Sequence, residues 1–282
     1  METERIRTLV EQSLQARVEA GATVSLPTRG GFGHTMGDRL EEWVLTSLQQ
    51  VLHGKLRAMD IPSFLTQTLA DLKRAKNVRP QVPAILDALQ SETWWATLLV
   101  NRQTVTDFLR SGNCSPWQQA GADIVLVQGV YPFNRANELT LINVKSHSVD
   151  RDSRPPNIMS GQRLLEFFHY LLTRGDRLES LTAANLWFIG VGYDGRSGTI
   201  RTTQVKDLFK LAVDRIPQIN FDAAIQLQFD VDKIPEVVQS RTDFVRQLAE
   251  RFIKDWRVHS LSKERRYSRL TSEIIARLDH PA

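Results

Sequence analysis

Asp123, Asn143 and Lys145 stand at the ends of two strongly apolar runs, Ile124–Val127 and Leu139–Val144. The runs are rich in β-branched residues, and the connection between them, Tyr131–Ala136, holds Pro and Asn, so they are expected as the two strands of a hairpin. With the turn centred on Asn134, Asp123 and Lys145 each lie eleven positions away and fall opposite one another in an antiparallel register. Asn143 and Lys145 are two apart and therefore share a sheet face, which Asp123 reaches across the ladder. A carboxylate, an amide and an ammonium gathered at one end of an apolar sheet cost about 1–3 kcal/mol for each group left unpartnered. A cluster of this kind is suited to binding something, and the hairpin is read as the active site. An ordinary Asp–Lys pair with Asn143 as a turn residue accounts for the same spacing, because D…NxK is short and common.

The surrounding sequence separates these readings. From Ser146 onward, SHSVDRDSRPPNIMSGQRLLEFF resembles the segment after the catalytic lysine in the HincII family of type II restriction endonucleases, part of the PD-(D/E)xK nuclease superfamily. GHTMGDRLEEWV (Gly33–Val44), PAILDAL (Pro83–Leu89), GADIVLV (Gly121–Val127), PPNIMS (Pro155–Ser160) and INFDAAIQLQFDV (Ile219–Val231) are similar to segments of that family in the same order. The resemblance thus covers most of the chain from about Gly31 onward. It implies an α/β restriction-endonuclease-like fold, a central mixed β-sheet flanked by helices. The implied activity is Mg²⁺-dependent hydrolysis of phosphodiester bonds in both strands of a short palindromic double-stranded DNA site, leaving blunt ends. Two-fold symmetry of such a site calls for a homodimer, and the restriction-modification system implies a cognate DNA methyltransferase.

The resemblance also assigns roles. Asp123 would hold Mg²⁺, a hard ion that takes carboxylate and phosphate oxygens and keeps waters, with the backbone carbonyl of Val144 as a further ligand. Lys145 would stabilise charge developing on the phosphate, orient the attacking water or lower its pKa. Glu41, with Glu42, reads from the sequence as an acid favouring a helix dipole; the resemblance turns Glu41 toward the metal. Asn143 departs from the pattern, which has Asp or Glu there. Some restriction enzymes of the superfamily carry Asn at this place, and an Asp→Asn substitution made to trap a DNA complex gives the same residue. In the family the loop matching Arg154–Asn157 contacts bases, with a Gln wedged between base pairs where this chain has Arg154. Asn157 is suited to adenine N6 and N7, stiffened by Pro155 and Pro156, and Ser160 and Asn220 are matched to DNA contacts. Three function classes stay open: a site-specific endonuclease, a DNA-binding module with a dead site, for which Asn143 argues, and a repair or recombination nuclease.

The remaining chain supplies the framework. Its 282 residues are 41% hydrophobic and 24% charged, enough for a substantial core, and are read as one domain with an N-terminal helix and loop (1–30) and a core (31–282). Lys and Arg outnumber Asp and Glu by 36 to 32, which suits a polyanionic partner without requiring one. The lone Cys114 fits a reducing cytoplasm. No apolar run approaches the ~18 residues of a membrane span, and the charged N-terminus is no secretory signal. Ile6, Leu9, Val10, Leu14 and Val18 mark an amphipathic helix that packs on the body or on a second subunit. GATVSLPTRGGFGHTMG lacks phosphate-loop spacing and is expected as a flexible loop near DNA. Helices are expected from Asp38 to Gly54, over Ile61–Lys76, within Pro83–Phe108 with Trp94 and Trp95 in the core, and over Ser160–Leu172 with His169 as a structural histidine. Ser146–Asn157 is expected as a surface loop. Leu186–Tyr193 and Gly198–Val205 form a second hairpin around Asp194-Gly195, and Ile219–Val231 one half-solvated strand. A Ser/Thr/Asp cap opens a C-terminal helix, whose SKERRYSR run is a candidate phosphate contact or a solvated face.

Overall fold

Strands β1 (Arg57–Asp60), β2 (Ile124–Val127), β3 (Leu139–Ser148), β5 (Asn185–Tyr193) and β6 (Ile200–Asp207) lie side by side in that order. In this computed structural model the described residues are 2–27, 32–52, 54, 56–79, 81–90, 106, 109–110, 122–133, 139–150, 157–173, 185–222 and 225–279. Strands β3 and β5 run parallel, and every other neighbouring pair is antiparallel. The sheet is covered on both faces, which explains the unbroken apolar run of β2: Ile124 and Leu126 enter one core cluster, Val125 and Val127 the other.

Helices α1 (Glu2–Glu19) and α2 (Phe32–Val51) supply one layer, burying Val10, Leu14, Leu40, Val44 and Leu48 against Ile142, Val144 and Trp187. The opposite layer holds α3 (Ile61–Ala75), α4 (Val82–Gln90), α5 (Gly161–Thr173) and the start of α6 (Arg241–Asp279). It also holds a second sheet, in which β4 (Asn157–Ser160), β8 (Gln226–Gln228) and β7 (Gln218–Asn220) pair in the order β4-β8-β7. Each fully buried Leu or Phe in these layers contributes about 1.5–3 kcal/mol. Helix α1 therefore packs on the body. Arg7 fastens it by donating two hydrogen bonds to the Glu236 carboxylate, at 2.7 and 2.9 Å.

Local signals explain several boundaries. Asp60 caps α3 by accepting from the Ser63 N–H at 2.7 Å. Ser240 Oγ caps α6 by accepting from the Asp243 N–H at 3.0 Å. Asp194 Oδ1 accepts from the N–H groups of Arg196 and Ser197, closing the β5–β6 turn, and these bonds hold its carboxyl well below the usual range. Among the described residues no helix is long and apolar enough to cross a membrane.

Other expectations need correction. Helix α2 starts at Phe32, not Asp38, so Gly33–Gly37 are helical and Met36 is buried rather than lying in a loop near DNA. Glycine disfavours helix by about 1 kcal/mol, and tertiary burial outweighs it here. Thr23 pairs with Thr199 as an isolated bridge, tying the preceding segment to the body. Strand β3 continues to Ser148 and β4 begins at Asn157, so both ends of the expected 146–157 loop are strand. Ile219–Val231 is a hairpin rather than one strand. His169, expected as a structural histidine, is exposed on α5. Strand β1 had no apolar alternation to announce it. Trp94, Trp95 and Cys114 lie outside the described residues.

Candidate active site

The β2–β3 hairpin forms with a register two residues away from the one its spacing suggested. Ile124 faces Ile142, so the hairpin's midpoint is Phe133 rather than Asn134, and Asp123 falls opposite Asn143, not Lys145. Because side chains alternate with period two, a slip of two keeps every residue on its face. Asp123 and Asn143 thus remain on the side of Val125 and Leu141, and Lys145 follows Asn143 there.

Asp123 is the residue at which β2 gives way to side-chain pairing. Its N–H donates to the Ile142 carbonyl at 2.8 Å. Beyond that point β3 has no β2 partner, and the Val144 N–H donates to Asp123 Oδ2 at 2.6 Å instead. The N–H and C=O of a strand residue point to the same side, so the Val144 carbonyl also faces the end of β2.

Glu41 comes from α2, in the layer on the other side of the sheet, and its charge meets those of Asp123 and Lys145. Burial first, then the Asp123 carboxylate, pushes the Glu41 carboxyl up to about 7, with Asp38 adding and Lys145 opposing. Burial likewise raises Asp123, against the pull of Lys145 and the Val144 N–H. Two carboxyls that resist ionisation beside each other lack cationic charge, with Lys145 compensating only part. That is the electrostatic condition a bound cation relieves. The donor set fits a hard ion: two carboxylates, a backbone carbonyl and the buried Asn143 amide. Among the described residues no three acid, His or Cys side chains form a tighter cluster, and Mg²⁺ is ordinarily held by one or two carboxylates with waters and substrate phosphate.

The other expected residues gather elsewhere, on the small sheet. Asn157 lies opposite Gln228, and Ser160 opposite Gln226; Gln218 and Asn220 flank the same two glutamines from β7. With Ile219 and Leu227 buried, alternation turns Gln218, Asn220, Gln226 and Gln228 to the outer face. Gln226 and Gln228 were legible only as the polar half of an alternating strand, and Gln218 lies just before it. Ser160 Oγ accepts from the Arg163 N–H at 3.3 Å, capping α5. Asn220 Oδ1 accepts from the Asp222 N–H at 2.9 Å, so its amide NH₂ is the part turned to donation. Arg154 and the Asn157 side chain lie outside the described residues. Lys263 is engaged by Asp222 at 2.7 Å rather than presented alone to phosphate.

A family model described as restriction endonuclease HincII matches residues 15–271. No curated protein matches the chain.

Proposed function

The chain belongs to the HincII restriction endonuclease family, and from that premise we propose that it cuts both strands of a short palindromic DNA site, leaving blunt ends, in a Mg²⁺-dependent reaction at the β2–β3 hairpin. The observation that carries the assignment to this hairpin is the meeting of Asp123, Lys145 and Glu41 at one sheet end, with both carboxyls raised by burial and Glu41 raised further by Asp123.

Asp123, Glu41 and the Val144 carbonyl would hold the ion, with Asn143 beside them as a neutral and weaker donor. The metal's contribution is Lewis acidity toward the phosphate and a bound water of lowered pKa. Asp123 is fixed for its part by the Val144 N–H, which occupies Oδ2 and leaves Oδ1 to ligate. Lys145 is the nearby cation and stabilises negative charge on the phosphoryl oxygens, which grows in the transition state. Glu41 must be deprotonated to ligate, so it couples ion binding to proton release near neutral pH.

Specificity is assigned to residues 154–157 and to the amide-lined outer face of β7 and β8. Asn157 suits adenine through N6 and N7, and Asn220, whose Oδ1 is engaged, would donate to a base acceptor or a phosphate. Ser160 acts through the α5 cap, aiming β4. Arg154 replaces the family's wedge residue and would meet a base or phosphate. A homodimer on the DNA, a partner methyltransferase and a cytoplasmic setting complete the reading. The second reading, a DNA-binding protein with an inactivated site, draws on the neutral Asn143. Digestion of a long DNA with Mg²⁺ tests the first reading: discrete fragments support it, and binding without cleavage supports the second.

A further inference from the structure

On the reading of the hairpin just given, we infer that His147, held by Asp232, binds the phosphate one nucleotide from the scissile one, where the DNA follows β3 beyond Lys145. Alternation along β3 puts His147 on the same sheet face as Lys145. Two residues of strand advance about 6.6 Å, the scale of one nucleotide step along a single DNA strand. The chain then leaves β3 at Ser148 and enters the segment assigned to base reading. A DNA strand whose scissile phosphate lies at Lys145 and which follows β3 toward its C-terminal end reaches His147 next.

The surroundings are shaped for this side chain. In register, Lys145 lies beside Gly190 and His147 beside Gly192 on β5. A Cβ at Gly190 would stand 3.0 Å from the Val231 side chain, and a Cβ at Gly192 would stand 3.1 Å from His147 Nε2 and closer still to Thr202 Oγ1. The two glycines thus leave room for the 231–232 turn and the imidazole to lie over the sheet. Asp232 Oδ2 sits 3.5 Å from His147 Nε2, with both side chains about three-quarters buried (22% and 24% exposed). Among the described residues the buried Asp232 Oδ1 has no hydrogen-bond partner, while Oδ2 faces the imidazole. An acid on the Nε2 side of the ring fixes its orientation. Nδ1 is left as the donor to an anion.

The test pairs protein variants with DNA in which single phosphates are replaced by neutral methylphosphonate. His147→Ala should lower kcat/KM on normal cognate DNA by about tenfold to a hundredfold, the value of one charge-assisted hydrogen bond. On DNA neutral at the adjacent phosphate it should have almost no further effect. Asp232→Asn should show the same coupling more weakly, and it covers the case in which His147→Ala melts early. Equal losses on both DNAs, no loss on either, or coupling only to a distant phosphate would overturn the inference. Lys145→Ala that still cleaves would instead overturn the underlying hairpin site.

Discussion

At the scale of single residues, the proposed chemistry turns on the charges around Asp123. Lys145→Ala should abolish cleavage while leaving DNA affinity within a few-fold, because the lysine serves charge that grows in the transition state; gel-shift and single-turnover assays on the same protein check both halves. Glu41 makes a pH prediction. Its folded value of about 7 lies above the ordinary value of 4.5, so between those pH values the folded state binds more protons than the unfolded state. Metal-free stability should therefore fall as pH rises from about 4.5 to 7, by something on the order of 1–3 kcal/mol. Glu41→Gln should flatten that decline in thermal melts, and Mg²⁺ should protect the wild type most above pH 7. Asn143→Asp adds a carboxylate opposite Asp123. If the amide substitutes for a native acid, the change should raise cleavage by orders of magnitude; if the amide is native, crowding with Asp123 makes the gain small or negative. A Mg²⁺ titration identical in both forms would remove position 143 from the metal site.

At the scale of elements, legibility followed the strength of the pattern. The two hairpin strands were readable because IVLV and LTLINV are continuous β-branched runs, and the α6 start because Ser240 opens a chemically explicit cap. The hairpin register was off by two because a connection between strands does not state its own midpoint. Helix α2 was begun late because Gly33 and Gly37 conceal the burial of Met36. The Ile219–Val231 alternation was real, yet the strand breaks after Asn220, where the Asp222 N–H donates to Asn220 Oδ1, an Asx hydrogen bond that spacing does not reveal. The convergence of Glu41 on the hairpin was carried only by the resemblance, since nothing local links α2 to β2. Gly198 has a required conformation: its φ is +71°, and a Cβ there would collide with the Val24 carbonyl oxygen. Gly198→Ala should cost about 1–3 kcal/mol, measurable by denaturant unfolding. On the reading sheet, Asn157→Ala should cost about 1–3 kcal/mol on the cognate site and much less on random DNA. Neutralising the exposed Arg265 and Arg266 should weaken both DNAs alike and reduce the salt slope. Lys263→Ala should act differently, through its Asp222 partner beside Asn220, and shift specificity more than salt dependence.

At the scale of the whole molecule, one five-stranded sheet carries the proposed chemistry at the end of β2, and a separate three-stranded sheet carries the proposed reading. The chain passes directly from one to the other between β3 and β4. Two copies on DNA, expected from the symmetry of a palindrome, should be seen as a dimer mass by sedimentation in the presence of the cognate site. The assignment of site-specific cleavage to the hairpin is tested by digesting one long DNA with Mg²⁺, using the wild type and Lys145→Ala in parallel, and sequencing the ends. The wild type should give discrete fragments, every end at one short palindromic sequence, and the variant should leave the DNA intact. A smear of unrelated ends, or equal cutting by both proteins, would contradict that assignment.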